Sequence, residues 1–470
     1  MMKKKTWPLW SPVGDTIRHA EFWKRARMRP TAFTRQRQVN LVGVVSIILN
    51  MIRRSTPREL DDYLSQAFPE EPNMTYTQQS FAEARQNLRP EAFEWLNQVF
   101  LKGFYEDDDE ATYRGFRLLA IDGSVIAWPN TPALRAAYGV ATNQFSQGAV
   151  ARARSSSLYD VLNGIVVHSI LGRYDTAERD MAKTHLTTLA DLPGSRPNLV
   201  LFDRGYPSAD LIWWLLAHAV RFVMRVPTGF YREIEEVTEP DSWVTIRMTS
   251  ERARALTRQG IPVPVGTVLT VRVLKLLLPS GDVETLITDL TPAELPLDEA
   301  LDLYFLRWGV ETHDDDGKYK WEVENFSGQT PVVIQQDFHA SILMSNRAAV
   351  AEQDAQAEIP ARIDPNTHKY VDYRINRNIL IGKMKDRLIA IALEEDGRKR
   401  EAAWNRLRGS TRRKRRAILN KAWLPPCSAT RTRVGSGGFP SHRATTCSAR
   451  PKYCCFTRHD FPSTRFSSIR

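Results

Sequence analysis

Three carboxylates and a short cationic stripe are the residues of this sequence best suited to chemistry. The stretch "YFLRWGVETHDDDGK" (Tyr304–Lys318) sets Tyr304, Arg307, Glu311 and Lys318 at offsets of three, four and seven residues, which is one face of a helix. That face is charged where a buried one would be apolar. It reads either as an exposed helix with Arg307 and Glu311 as an ordinary i,i+4 pair, or as a functional surface. Asp122 follows the apolar run of "FRLLAIDGS" and Asp203 that of "NLVLFDRGYP", strand-end positions at which an open sheet presents ligand-binding side chains. Acids from three separate elements can hold two divalent cations about 4 Å apart, which activate a nucleophile and stabilise the leaving oxygen in phosphoryl transfer. Oxygen ligands suit Mg²⁺, with Mn²⁺ able to substitute. Singly, each Asp is equally a turn former or a cap; only the conjunction points to a site.

Several neighbours compete for a role. Arg204 and Tyr206 could face the same surface as Asp203, although Arg204 could equally pair with a nearby acid. Asp314, Asp315 and Asp316 read as a solvated acidic face or as extra ligands, and Glu322 or Glu324 could replace Glu311 as the third acid. Glu311 is preferred because only it has the complete Tyr, Arg and Lys setting. Trp243 could stack on an unpaired base, whereas Trp213 and Trp214, inside an apolar helix, read as core.

The elements that must position these residues can be read from periodicity. Residues 31–102 read as short helices: an apolar one within Val39–Ile52, one capped by Thr56 with Pro57 at its first position, one starting near Thr77, and one opened by Pro90. From about Tyr113 the texture is strand-like. Two β-rich runs flank Asn163-Gly164, a hairpin signal. A helix near Glu178, the strand ending at Asp203, the helix "SADLIWWLLAHA" and the strand "RFVMRVP" follow. This alternation predicts an α/β core. Residues 227–298 interrupt it with alternating runs between Gly, Pro and Ser, predicting a mostly β insertion.

A chain of 470 residues that is 42% hydrophobic can bury a large core. Its longest apolar run, 14 residues from Val39 to Ile52, is too short to span a bilayer, and no secretion signal is expected at the start. The expected location is the cytoplasm. Net charge is +11, yet residues 398–423 carry 11 Lys/Arg against one Glu and residues 424–470 carry 8 against one Asp, which leaves residues 1–397 at −6. The basic end suits phosphate, or is a solvated tail. All four cysteines lie in the last 44 residues and match no zinc spacing. With no hydrophobic period, residues 424–470 read as disordered.

The motifs "LLAIDGS", "LVLFDRGYPS", "YFLRWGVE" with Lys318, "ENFSG" and "QQDFHASILMSN" together resemble the DDE transposases of the IS-four insertion-sequence family, over about residues 30–395. The resemblance implies an RNase H-like catalytic core with a β-rich insertion, preceded by an all-helical N-terminal domain. It implies catalytic, metal-binding Asp122, Asp203 and Glu311, with Tyr304, Arg307 and Lys318 contacting DNA; Arg204, beside Asp203, is a further candidate for DNA contact. The expected partition is an arm (1–30), a helical DNA-binding domain (31–112), core segments (113–226 and 299–397) around the insertion (227–298), a basic helical segment (398–423) and the tail (424–470). The expected function is binding of terminal inverted repeats, Mg²⁺-assisted cleavage of the ends and joining of 3′ hydroxyls to double-stranded target DNA, by a homodimer or larger assembly. A metal-dependent nuclease on this fold, or an impaired copy that only binds ends, are the alternatives.

Overall fold

The computed structural model describes residues 6–35, 39–50, 55–71, 73–141, 150–258, 260, 263–278, 280–311, 326–357, 373–375, 380–381, 398 and 419–421. The described residues belong to one compact unit within residues 1–422; the tail of residues 424–470 lies outside the described residues.

The N-terminal third is helical: α1 (Thr6–Arg18), α2 (Ala20–Ala26), α3 (Leu41–Leu49), α4 (Thr56–Ala67), α5 (Gln78–Arg85) and α6 (Glu91–Tyr105). Local chemistry sets most of these starts. Asn40 caps α3 by accepting from the Gly43 amide, and Thr77 caps α5 by accepting from that of Ser80, so each side chain satisfies one of the first-turn donors a helix leaves free. The cap position of α4 is Ser55, without a side-chain hydrogen bond, and Thr56 is its first helical residue. The expected Thr56 cap is therefore displaced by one. The expected arm contributes two helices, and Trp10, Val13, Ile17 and Phe22 from it are buried in the main core.

The sheet supplies the frame for the acids. It comprises β1 (Arg117–Ala127), β2 (Val140–Ala141), β3 (Val150–Asp160), β4 (Ile165–Arg173), β5 (Asn198–Phe202), β6 (Arg221–Arg225), β7 (Asp241–Arg247), β8 (Val268–Leu277) and β9 (Val283–Thr288). β3 pairs antiparallel with β1 and with β4, while β5 is parallel to β1 and β6 to β5. The five central strands thus run β4-β3-β1-β5-β6, an antiparallel meander extended by two parallel strands, which is the RNase H-like order. The predicted hairpin joins β3 to β4, with Gly164 at φ +71°, a conformation that costs glycine little.

Residues 227–298 add β7, β8 and β9 with the short helices α10 (Arg232–Glu235) and α11 (Ser250–Arg258). β9 pairs antiparallel with β6, so these strands continue the same sheet in the order β6-β9-β8-β7. Helices α7 (Pro132–Tyr138), α8 (Glu178–Thr187) and α9 (Ala209–Ala217), with α12 (Leu297–Phe305) and the long α13 (Pro331–Ala357), complete the body.

Successive side chains of a strand point to opposite faces, and β1 divides accordingly. Leu119 and Ile121 enter a core shared with α1 to α6 and α13, while Leu118 and Ala120 enter a second core with Leu199, Leu201, Tyr304 and Phe338. Within the basic segment expected to be helical, Leu419–Lys421 instead pairs as a short strand with Tyr373–Ile375. No helix among the described residues is long and apolar enough to cross a membrane.

Candidate active site

Asp122 lies in the middle of β1, paired with Ser157 of β3. It does not sit at a strand end as its sequence setting suggests, because the strand continues through Gly123 and Ser124 to Ala127. Its position in the alternation puts it on the face of Ala120, toward the second core. Asp203 follows β5 directly, and β5 is the parallel neighbour of β1. Both acids therefore arise from adjacent central strands.

The third acid comes from the segment after the insertion. α12 ends at Phe305, Leu306 and Arg307 form a turn, and helical residues resume at Trp308–Glu311. The amides of Arg307, Gly309 and Val310 each reach back three residues, to Tyr304, Leu306 and Arg307, a tighter winding than the α-helix. The expected single helical face is thus broken at the turn, yet Arg307 still meets both Tyr304 and Glu311. Tyr304 donates its hydroxyl to Asp203 Oδ1 at 3.4 Å, and Arg307 Nη2 donates to Glu311 Oε1 at 2.5 Å. The Arg307 guanidinium lies 5.8 Å from the Tyr304 ring centre.

Burial makes this stripe unlike a surface ion pair. Tyr304 and Arg307 are each only 3% exposed, although Glu311 remains half-exposed. Two Arg307 nitrogens, Nε and Nη1, are buried without a hydrogen-bond partner among the described residues, and buried unpaired donors are costly. Burial lowers the tendency of Arg307 to hold its proton, but Tyr304, Glu311 and Asp203 together raise it above its usual range.

Asp122 is tuned in the opposite direction. Burial pushes its carboxyl up to about 6; the Gly123 amide, which donates to Oδ1 at 2.9 Å, and Arg307 resist, while Glu311 and Asp203 add to the rise. Asp122 thus feels Arg307, Glu311 and Asp203, and Arg307 feels Glu311 and Asp203. Clustered carboxylates held partly out of water are a frequent mark of functional sites. Their donor set is all oxygen, which fits a hard divalent cation. Among the described residues no three such ligands converge on a single metal position.

Other sequence candidates separate. Arg204 is exposed, while Tyr206 is 2% exposed and packed in the main core, which removes it from the surface. Trp243 is 50% exposed. Trp213 and Trp214 pack against the main core. Lys318, Asp314, Asp315, Asp316, Glu322 and Glu324 lie outside the described residues. The structure also adds residues that motif reading missed: Arg225, which contributes to the electrostatic surroundings of Tyr304, and Ser156, whose hydroxyl donates to the Asp122 carbonyl at 3.2 Å. Ser156 sits in a Ser155–Ser157 run that carries no spacing signal; only strand register exposes it.

The RNase H-ordered sheet thus carries Asp122 on β1 and Asp203 just past the adjacent β5, with Glu311 beside the buried Arg307. The model of the transposase DDE domain matches residues 113–347, and the chain belongs to that family. The transposase InsG for insertion sequence element IS4, from Escherichia coli (strain K12), is 25% identical over 273 residues, 56% of this chain and 58% of that protein. InsZ of the same strain is 29% identical over 136 residues, 28% of this chain and 42% of that protein. The matched chain thus spans about three fifths and two fifths of these relatives. Among solved structures, a cryo-EM structure of the piggyBac transposase synaptic complex with hairpin DNA aligns at a TM-score of 0.43 and 12% identity, covering 90% of this chain and 86% of that one.

Proposed function

We propose that this chain is the DNA transposase of a bacterial insertion sequence, acting in the cytoplasm on double-stranded DNA as a homodimer or larger assembly. The observation that supports it most is the joining of the three acids through one buried pair: Arg307 holds Glu311, Tyr304 holds Asp203, and Asp122 on the adjacent strand feels Arg307, Glu311 and Asp203. A divalent ion held by these three acids, Mg²⁺ or Mn²⁺, would supply Lewis-acid charge and an activated oxygen nucleophile.

The residues of the chain divide the remaining tasks. Arg307 holds Glu311 with one nitrogen and keeps two donors unused, a planar fork suited to the oxygens of a scissile phosphate. Tyr304 fixes Asp203 through its hydroxyl. Arg204 and Lys318 extend the cationic surface along the DNA. End cleavage uses water and strand joining uses the freed 3′ hydroxyl; both are displacements at phosphorus by an oxygen nucleophile, so one site serves both. The helical segment of residues 31–112 recognises the terminal inverted repeats, and the basic residues of 398–423 add phosphate contacts whose affinity falls with salt.

The test uses DNA carrying the inverted repeats that flank the gene. Asp122→Asn, Asp203→Asn and Glu311→Gln each keep side-chain shape but lose charge, so each abolishes nicking while gel-shift affinity for the ends stays within about threefold, a change of under 1 kcal/mol. Full nicking by any one variant removes that residue from the site. Nicking without joined product makes the protein a nuclease on the same fold.

A further inference from the structure

Behind Asp122, on the opposite face of the sheet, lies a buried polar chain that the chemistry above does not use. Ser156 of β3 is paired with Gly123, not Asp122, so its side chain points away from the acids. Its hydroxyl donates to the Asp122 backbone carbonyl at 3.2 Å. His185 Nε2 of α8 lies 3.0 Å from the same hydroxyl, and His185 Nδ1 lies 2.9 Å from His168 Nδ1 of β4. Ser156 and His185 are 1% and 0% exposed. Glu94 of α6 and His339 of α13, themselves 2.9 Å apart, lie close enough to His168 to act on it electrostatically.

The direction of every proton in this chain follows from one fixed end. A carbonyl only accepts, so Ser156 spends its single proton on Asp122. His185 Nε2 must then carry a proton to donate to Ser156. Burial, and then His168, hold the His185 ring well below its usual range, and burial lowers His168 as well. Both rings are therefore neutral near pH 7, with one N–H each. His185 Nδ1 is consequently bare and accepts from His168 Nδ1–H. Hydrogen bonds aligned donor to acceptor in this way polarise one another in a low dielectric.

We propose that His185, oriented by His168, is a positioning residue that fixes the main chain at Asp122 through Ser156, holding this acid in place for its metal. The proposal rests on the reading of Asp122 as a metal ligand. Partners one step removed from a ligand commonly matter for metal affinity by about tenfold or more.

The experiment compares the full-length parent with Ser156→Ala, His185→Leu and His185→Gln, whose amide nitrogen substitutes for the Nε2–H. Mn²⁺ binding is measured by calorimetry on the metal-free protein, and end nicking, end-DNA gel shift and melting are measured beside it. Ser156→Ala and His185→Leu weaken Mn²⁺ binding about tenfold and slow nicking at sub-saturating Mn²⁺, with end binding unchanged, and His185→Gln recovers most of the loss. Nitrogen-15 spectra of labelled histidines show His185 protonated on Nε2 and His168 on Nδ1. Should the His185 variants fail to fold, Ser156→Ala, which removes one hydroxyl, decides alone. A parent that binds Mn²⁺ beside a Ser156→Ala that binds it equally well, or a His185 protonated on Nδ1, overturns the positioning role. A parent that binds no Mn²⁺ overturns the metal site itself, and the positioning role with it.

Discussion

Asp160, at the end of β3, is fully buried beside the hairpin and accepts from Tyr105 Oη at 2.9 Å and from both the backbone and side-chain nitrogens of Asn163. Burial still wins over these donors and pushes its carboxyl up to about 6. The folded state therefore holds this proton in a range where the unfolded chain, with an ordinary Asp, has released it. Stability contributed by Asp160 is present at low pH and is lost as pH rises from about 4 to about 6. Between pH 4.5 and 6.5 the loss is about 2 kcal/mol, at roughly 1.4 kcal/mol per pKa unit. Denaturant melts of metal-free parent and Asp160→Asn across this window should show the parent losing that much relative to the variant, and parallel curves would refute the assignment. Residue types at the candidate site were legible in the sequence because charge is conspicuous next to apolar runs. The broken helix at Leu306–Arg307 was not, since a period of three to four residues fits a tight turn as well as a regular helix. Nor was Ser156, whose role depends on a strand register set by residues far away in the chain.

Among the elements, α3 and α4 give a sharp test of packing. A Cβ added to Gly43 would lie 2.5 Å from the Tyr63 hydroxyl and 3.4 Å from the ring carbon that bears it, and Tyr63 is 2% exposed. Gly43→Ala therefore gains about 1 kcal/mol of helix propensity but incurs an overpacking cost of about 1–3 kcal/mol. The single variant should be destabilised by about 1 kcal/mol, whereas in a Tyr63→Phe background the same change should cost less, because the oxygen is gone and the Val39 methyl at 3.0 Å is the tightest contact left. Denaturant midpoints of the four proteins form a cycle that reads the coupling directly; an additive cycle would show that α3 and α4 yield without strain. Most elements were legible because their apolar periods, caps and turns agree: the Asn163-Gly164 hairpin, the Thr77 cap and the three strands of residues 227–298 all formed. What periodicity could not reveal was sheet membership. Runs in 227–298 look the same whether they build a separate layer or continue the central sheet, and only the β6–β9 pairing decides.

At the scale of the molecule, one core cluster runs from α1 through α6, under one face of the sheet, and into α13, so the N-terminal helices and the catalytic frame share their interior. A buried polar joint locks the two across it. Arg85 of α5 donates through Nε to Gln336 Oε1 at 3.0 Å, through Nη2 to Asp337 Oδ1 at 2.6 Å, and through Nη1 to Ser327 Oγ. Gln336 returns its amide to the carbonyls of Arg85 and Leu88 at 2.9 and 2.7 Å, and Asp337 also accepts from the Ser327 amide at 2.8 Å. Arg85 is 2% exposed, so removing it strands a buried carboxylate, a loss of about 3–5 kcal/mol. Replacing both charges by apolar groups is often far less costly. Arg85→Ala should therefore lower the main calorimetric transition by several degrees without splitting it, and Arg85→Met with Asp337→Leu should recover part of that loss, the remainder reflecting the unpaired Ser327 amide. A low-temperature shoulder in Arg85→Ala, with the helices melting ahead of the sheet, would show instead that α1–α6 fold on their own and that the joint merely docks them. A single shifted transition would mean that whatever the helices bind can strain or settle the frame that carries Asp122 and Asp203, because the two halves stand or fall together.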